Sequence, residues 1–97
     1  MINHYVMFRL KGEPAAVAEA ALKFKEAIEA LVFTIPQLVE ASVGINENPA
    51  EKWTMVLSSK VESWQHLALY ASHPAHLAAV ALIKPLIEER AAVDFVS

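Results

Sequence analysis

The hydrophobic period of this chain switches from two to about 3.6 within its first third, and that switch sets the order of its first two elements. In residues 2–10, Ile2, His4, Val6, Phe8 and Leu10 alternate with Asn3, Tyr5, Met7 and Arg9. This is the pattern of a strand with one strongly apolar face. Lys11-Gly12-Glu13-Pro14 breaks the alternation, and Pro14 suits a helix start, where its missing N–H is no loss. From Val17 the apolar residues fall at 17, 21, 24, 28, 31 and 35, steps of four and three that mark one face of a long amphipathic helix. Pro36 disfavours helical geometry at Ile35, so the helix ends near there.

Val39, Ala41, Val43 and Ile45 alternate with Glu40, Ser42, Gly44 and Asn46 and predict a second strand. Asn46-Glu47-Asn48-Pro49 is dense in turn formers and predicts a loop. Trp53, Met55 and Leu57 open a third strand. Ser63 is placed to cap a short helix through Trp64, Leu67, Leu69 and Tyr70. His73-Pro74 restarts the chain as another helix, with Ala78, Leu82 and Ile83 apolar and Pro85 disturbing its end. Ala92-Val93-Asp94-Phe95-Val96 closes as a fourth strand.

The order β-α-β-β-α(α)-β predicts an α+β fold in one domain over 1–97: a ferredoxin-like four-stranded antiparallel sheet with helices on one face. The uncovered face needs a partner. Of the 97 residues, 56% are hydrophobic, above the usual share of about 45–50%, and a chain this short has little interior in which to hide them. Packing the sheet against a second copy makes a dimeric α/β barrel and removes the excess, so a homodimer is expected. Trp53, Trp64, Phe24 and Phe33 are read as core or interface rather than as an aromatic cage.

Net charge is −3 and the eight basic residues are scattered, which speaks against nucleic-acid binding. With no cysteine, disulfides and thiolate metal sites are excluded. No signal peptide and no membrane span are read in the chain, and a soluble cytoplasmic protein is expected.

Candidate chemistry collects in Tyr70-Ala71-Ser72-His73-Pro74-Ala75-His76, a phenol and two imidazoles at the junction of two helices. Such side chains move protons near neutral pH. His76 falls about three residues into a helix, whose positive end keeps its ring neutral, as a general base requires. Tyr70 is suited to hydrogen-bond a carbonyl oxygen and support the enolate formed when a neighbouring carbon loses its proton, with no cofactor. His73 is read as a structural cap before Pro74, with a hydrogen bond to Asp94 one way of tying this corner to the last strand. His4 lies on the apolar face of the first strand, either as a hydrogen-bonded core residue or as pocket lining. His66 is expected to face solvent. Three imidazoles, His4, His73 and His76, can in principle hold zinc. Pro74 between two of them and the lack of an accompanying carboxylate argue against a metal site, and none is expected.

The layout, together with His4, Trp53-Thr54, Glu62-Ser63, Tyr70, His73-Pro74-Ala75-His76 and Val93-Asp94-Phe95, resembles the stress-responsive dimeric A/B-barrel (Dabb) family over nearly the full length. That resemblance implies a ferredoxin-like monomer dimerised through its sheet. A plant polyketide cyclase of the family closes a linear polyketide by an aldol reaction without a cofactor. Its catalytic tyrosine and histidine correspond to Tyr70 and His76, and its opening-strand histidine to His4. A further pocket histidine of that enzyme falls at Met55, a departure bearing on its substrate contacts. Some plant members also hold a cation on main-chain carbonyls that correspond to Val32, Ile35 and Leu38.

The leading expectation is a pocket between sheet and helices, lined by His4, Met55, Tyr70 and His76. It takes a mainly apolar, carbonyl-bearing small molecule and supports acid/base chemistry of the aldol kind. A non-catalytic stress or assembly protein with a structural corner is the alternative, and a cofactor-free oxygenase is a third.

Overall fold

A computed structural model of the chain describes Met1–Ser97. The elements run β1 (Ile2–Leu10), α1 (Pro14–Ala30), β2 (Leu38–Ile45), β3 (Met55–Val61), α2 (Trp64–Ser72), α3 (Pro74–Ala81) and β4 (Ile87–Val96). Short 3-10 turns at Leu31–Phe33 and Lys84–Leu86 follow α1 and α3. The strands form one four-stranded sheet in the order β2-β3-β1-β4, with every neighbouring pair antiparallel. This is the ferredoxin-like arrangement. No helix is long and apolar enough to cross a membrane.

The periodicities account for the core. Ile2, Val6, Phe8 and Leu10 of β1 join Met55, Leu57 and Val61 of β3 and meet Ala21, Phe24 and Ile28 of α1. Phe24 and Ile28 are fully buried, and the Phe24 ring meets Phe8 edge-on at 5.6 Å between centroids, a favoured aromatic geometry. The turn from β1 into α1 passes through Gly12 at φ 128, where a side chain would be strained.

Four expectations shift on tertiary grounds. The register of β2 against β3 slips between Leu38 and Glu40. This bulge turns Val39 outward at 43% exposure and sends Leu38 inward, against the alternation that placed Val39 with Val43. β3 begins at Met55 rather than Trp53, and β4 at Ile87 rather than Ala92. Glu88, Glu89 and Arg90 had hidden the start of β4, because an edge strand tolerates charge. In α3 the buried positions are Ala79 and, just beyond, Ile83, while Leu82 is exposed. Of the three apolar positions that hydropathy picked out, Ile83 therefore turns inward while Ala78 and Leu82 do not, and Ala79 takes their place. Of the four aromatics read as core or interface, Phe24 alone is sealed inside the chain; Phe33 and Trp64 are exposed and Trp53 is half-buried.

Candidate functional site

The Tyr70–His76 corner follows from local chain chemistry. The Ser63 hydroxyl accepts the His66 N–H at 3.1 Å and starts α2, an ordinary N-cap. Pro74 disfavours helical geometry at the residue before it; His73 is extended, at φ −63 and ψ 134, and separates α2 from α3. His73 serves both helices. Its backbone N–H donates to the Tyr70 carbonyl at 3.2 Å, and its Nδ1 accepts the Ala75 N–H at 3.0 Å.

One turn into α3, His76 lies with Nδ1 3.0 Å from the Ala71 carbonyl oxygen. A carbonyl only accepts, so Nδ1 carries the proton and Nε2 keeps its lone pair. Burial pushes the His76 pKa below its ordinary value; the Ala71 carbonyl pulls it back up, and the neighbouring His4 and His73 push it further down. The ring is thus a neutral base with a usable Nε2.

Strand register supplies the floor. His4 stands opposite Ser59 of β3 and opposite Asp94 of β4, so Ser59, His4 and Asp94 form one row across the helix-facing side of the sheet. His4 donates from Nδ1 to the Asp94 carboxylate. Asp94 is therefore tied to His4, not to His73, because cross-strand partners are the nearest neighbours a strand residue has. Tyr70 lies over this row, with its ring 6.4 Å from that of His4 and 4.6 Å from that of His76.

Tyr70 is 0% exposed. Burial pushes its pKa up to about 12, with the Ser59 hydroxyl pulling the other way. The two hydroxyls feel one another, yet neither has a partner in hydrogen-bonding geometry. Buried polar atoms of this kind are rare, and each costs about 1–3 kcal/mol when left unpaired. A neutral phenol with an unspent O–H, next to a neutral imidazole with an unspent lone pair, is equipped to bind a carbonyl oxygen and take a proton beside it.

His4, Tyr70, His73 and His76 come together; Met55 does not join them. It is opposite Phe8, four positions along β3 from Ser59, or about 13 Å at the strand rise. It borders a different hollow of ≈ 560 Å³, lined also by Met7, Gly44, Trp53 and Val56. A smaller hollow of ≈ 160 Å³ lies among Tyr5, Met7, Val56 and Val93. Both involve the sheet face turned away from the helices, whereas the expected pocket lay beneath them. His66, expected to face solvent, is half-buried with Nδ1 covered and unpartnered. Of the carbonyls considered for a cation, that of Ile35 accepts the Leu38 N–H at 3.1 Å. The imidazoles of His4, His73 and His76 each spend Nδ1 inside the protein, and no three side chains are grouped to hold a metal ion.

Ser59 is the member of this site that pattern reading passed over. Its signal was a polar residue at an inward position of the Met55, Leu57, Ser59, Val61 alternation.

The fold agrees with the comparison against known families, where the stress responsive A/B barrel domain matches residues 2–97. The chain belongs to the Dabb family. A dimeric protein of unknown function and ferredoxin-like fold from Bacteroides fragilis NCTC 9343 is 35% identical, with a TM-score of 0.97 over 99% of this Dabb chain and 95% of its own. A dimeric ferredoxin-like protein of unknown function from Thermobifida fusca YX is 25% identical, with a TM-score of 0.80 over 99% and 90% of the two chains. The hydroxynitrile lyase of Passiflora edulis shares the fold at 16% identity and a TM-score of 0.74, over 99% and 92%. No curated protein matches the chain.

Proposed function

We propose that this Dabb protein is a homodimer whose Tyr70–His76 corner binds a mainly apolar, carbonyl-bearing small molecule and performs cofactor-free acid/base chemistry on it, of the aldol-cyclising kind. The observation that carries the reading is the buried, unpartnered Tyr70 hydroxyl beside the free Nε2 of a neutral His76. In this mechanism the Tyr70 O–H donates to the substrate carbonyl oxygen. His76 Nε2 removes a proton from the adjacent carbon, and the electron pair of that C–H bond becomes the enolate. The enolate carbon then attacks a second carbonyl of the same molecule, and the new alkoxide takes the proton back from His76. Asp94 holds His4 in one orientation beneath the pair. The dimer rests on the exposed apolar face of the sheet and on the dimeric state of the Bacteroides fragilis and Thermobifida fusca proteins.

The test is a thermal-shift screen of the purified protein against carbonyl-bearing aromatics and polyketide mimics. A ligand at about 100 times its dissociation constant adds about 2.7 kcal/mol of stability. A shift that vanishes in His76→Ala and Tyr70→Phe, followed by turnover that vanishes with it, supports the reading. Unchanged turnover of a hit in His76→Ala ends the catalytic claim.

The complete burial of Tyr70, with both hollows on other surfaces, favours a second reading, a non-catalytic assembly protein in which the corner supports the fold. Silence across the ligand panel from a folded, dimeric protein selects it.

A further inference from the structure

The sheet has two edges, β2 and β4, and an edge strand offers unpaired N–H and C=O groups to any other extended chain. On β2 the outward-facing residues follow from its pairing. The Asn46 N–H just past β2 donates to the Thr54 carbonyl at 2.9 Å, toward β3, so the alternate residues Ile45, Val43 and Ala41 direct their peptide groups off the sheet. Val43 is the middle of this row. Its peptide groups are nevertheless both occupied: the Val43 N–H donates to the Glu29 carboxylate at 3.1 Å, and the Val43 carbonyl accepts from Lys25 Nζ at 2.6 Å. Lys25 and Glu29 are themselves joined at 2.8 Å, one helical turn apart on α1.

We propose that Lys25 and Glu29 form a plug on the open edge of β2, standing in for the peptide group of an absent strand and closing that edge to strand addition by a second copy of this chain. The acceptor and donor of the pair are presented side by side, as the C=O and N–H of a neighbouring strand would be. The edge needs such protection because β2 is rich in apolar residues, with a mostly uncharged sequence from Leu38 to Ile45. The Lys25 ammonium and the Val43 N–H hold the Glu29 carboxyl below the usual range, against the effect of burial, so Glu29 keeps its charge at neutral pH. The second such pair on α1, Lys23 with Glu19 at 2.9 Å, touches no strand backbone and is an internal control.

Amide hydrogen exchange on the full chain tests the plug without a variant. Val43 is expected to exchange about tenfold or more slowly than Ala41 and Ile45, although all belong to the same open edge. Equal, fast exchange at the three positions overturns the plug. Equal protection at all three also overturns it, since another strand would then cover the edge. Lys25→Ala with Glu29→Ala is then expected to produce larger species by light scattering and a thioflavin T signal on incubation. Glu19→Ala with Lys23→Ala is expected to remain at the size of the wild-type protein. A Lys25/Glu29 variant that melts as a folded protein and stays at wild-type size overturns the protective role.

Discussion

On the helix-covered face of the sheet, Val6, Phe8, Leu57 and Val61 are 4% exposed or less; on the other face, Tyr5, Met7, Val93 and Phe95 remain 36% to 62% exposed. The residue types are similar, and the Tyr5 and Phe95 rings stack at 5.6 Å between centroids as if in a core. What differs is the cover. One face is closed by the chain's own helices, and it also receives the polar row Ser59, His4 and Asp94 under Tyr70. The other has no element left to close it. The contrast separates two uses of apolar surface: folding of the single chain on one side, and association in the proposed dimer on the other.

The largest effect is expected on the covered face. Phe24→Ala removes a fully buried ring and should cost about 3–5 kcal/mol, a large part of the about 5–15 kcal/mol that holds small domains together; denaturant unfolding measures it. A loss under about 1 kcal/mol would mean that this face is no core in the energetic sense. On the bare face, Val93→Asp is expected to leave the far-UV circular dichroism of the chain intact and to halve its mass in size-exclusion chromatography with light scattering. An unchanged mass would remove this face from the dimer contact and erase the distinction drawn between the two sides.

Tyr70→Phe sharpens the contrast within the covered face. Deleting a hydroxyl without a partner should change stability by no more than about 1 kcal/mol, toward greater stability, while abolishing any ligand shift at the corner. A loss of about 2 kcal/mol would show that the hydroxyl is satisfied in the folded protein and is not held ready for a ligand. The smallest effect is the pH dependence of His76. Its folded pKa lies below the ordinary 6.5, so the unfolded chain binds the proton more readily. Its share of stability is therefore fully present above 6.5 and declines as pH falls from there toward the folded value. Melting temperatures between about pH 8 and pH 5 should fall less steeply in His76→Gln than in the wild type. Parallel curves would place His76 in a solvent-like setting.

Much of this was legible in the chain because it is locally encoded. The steps of four and three from Val17 to Ile28 sufficed for the face of α1, since a helix face repeats within a few residues of itself. The same steps ran on through Leu31 to Ile35 and hid the end of the helix at Ala30, because both residues stay buried beyond it. Pro74 after His73 sufficed for the break between α2 and α3, since proline restricts only its neighbour. The grouping of Tyr70 with His76 followed for the same reason, being set by one turn and one cap. A bond from His73 was one way of tying Asp94 to the corner; Asp94 bonds His4 instead, because a carboxylate ninety residues from His4 finds it only through the register of β4 on β1. Met55 was placed in the pocket on its residue position, and the register of β3 on β1 set it at the other end of the sheet.

By itself, the sequence determined the number, kind and order of the elements, the helix boundaries at Pro14, Ser63 and Pro74, and an apolar excess larger than one small chain can hide. All of these depend on hydrogen bonds and side-chain spacing within a turn or a strand. Tertiary structure alone decided which residues face one another: Ser59, His4 and Asp94 in one row, Val39 turned out by the bulge, Ala79 rather than Ala78 turned in, and Val43 handed to Lys25 and Glu29. Those choices depend on the pairing of segments distant in the chain, where a slip of one residue reverses every side chain and no local pattern records which register packs best.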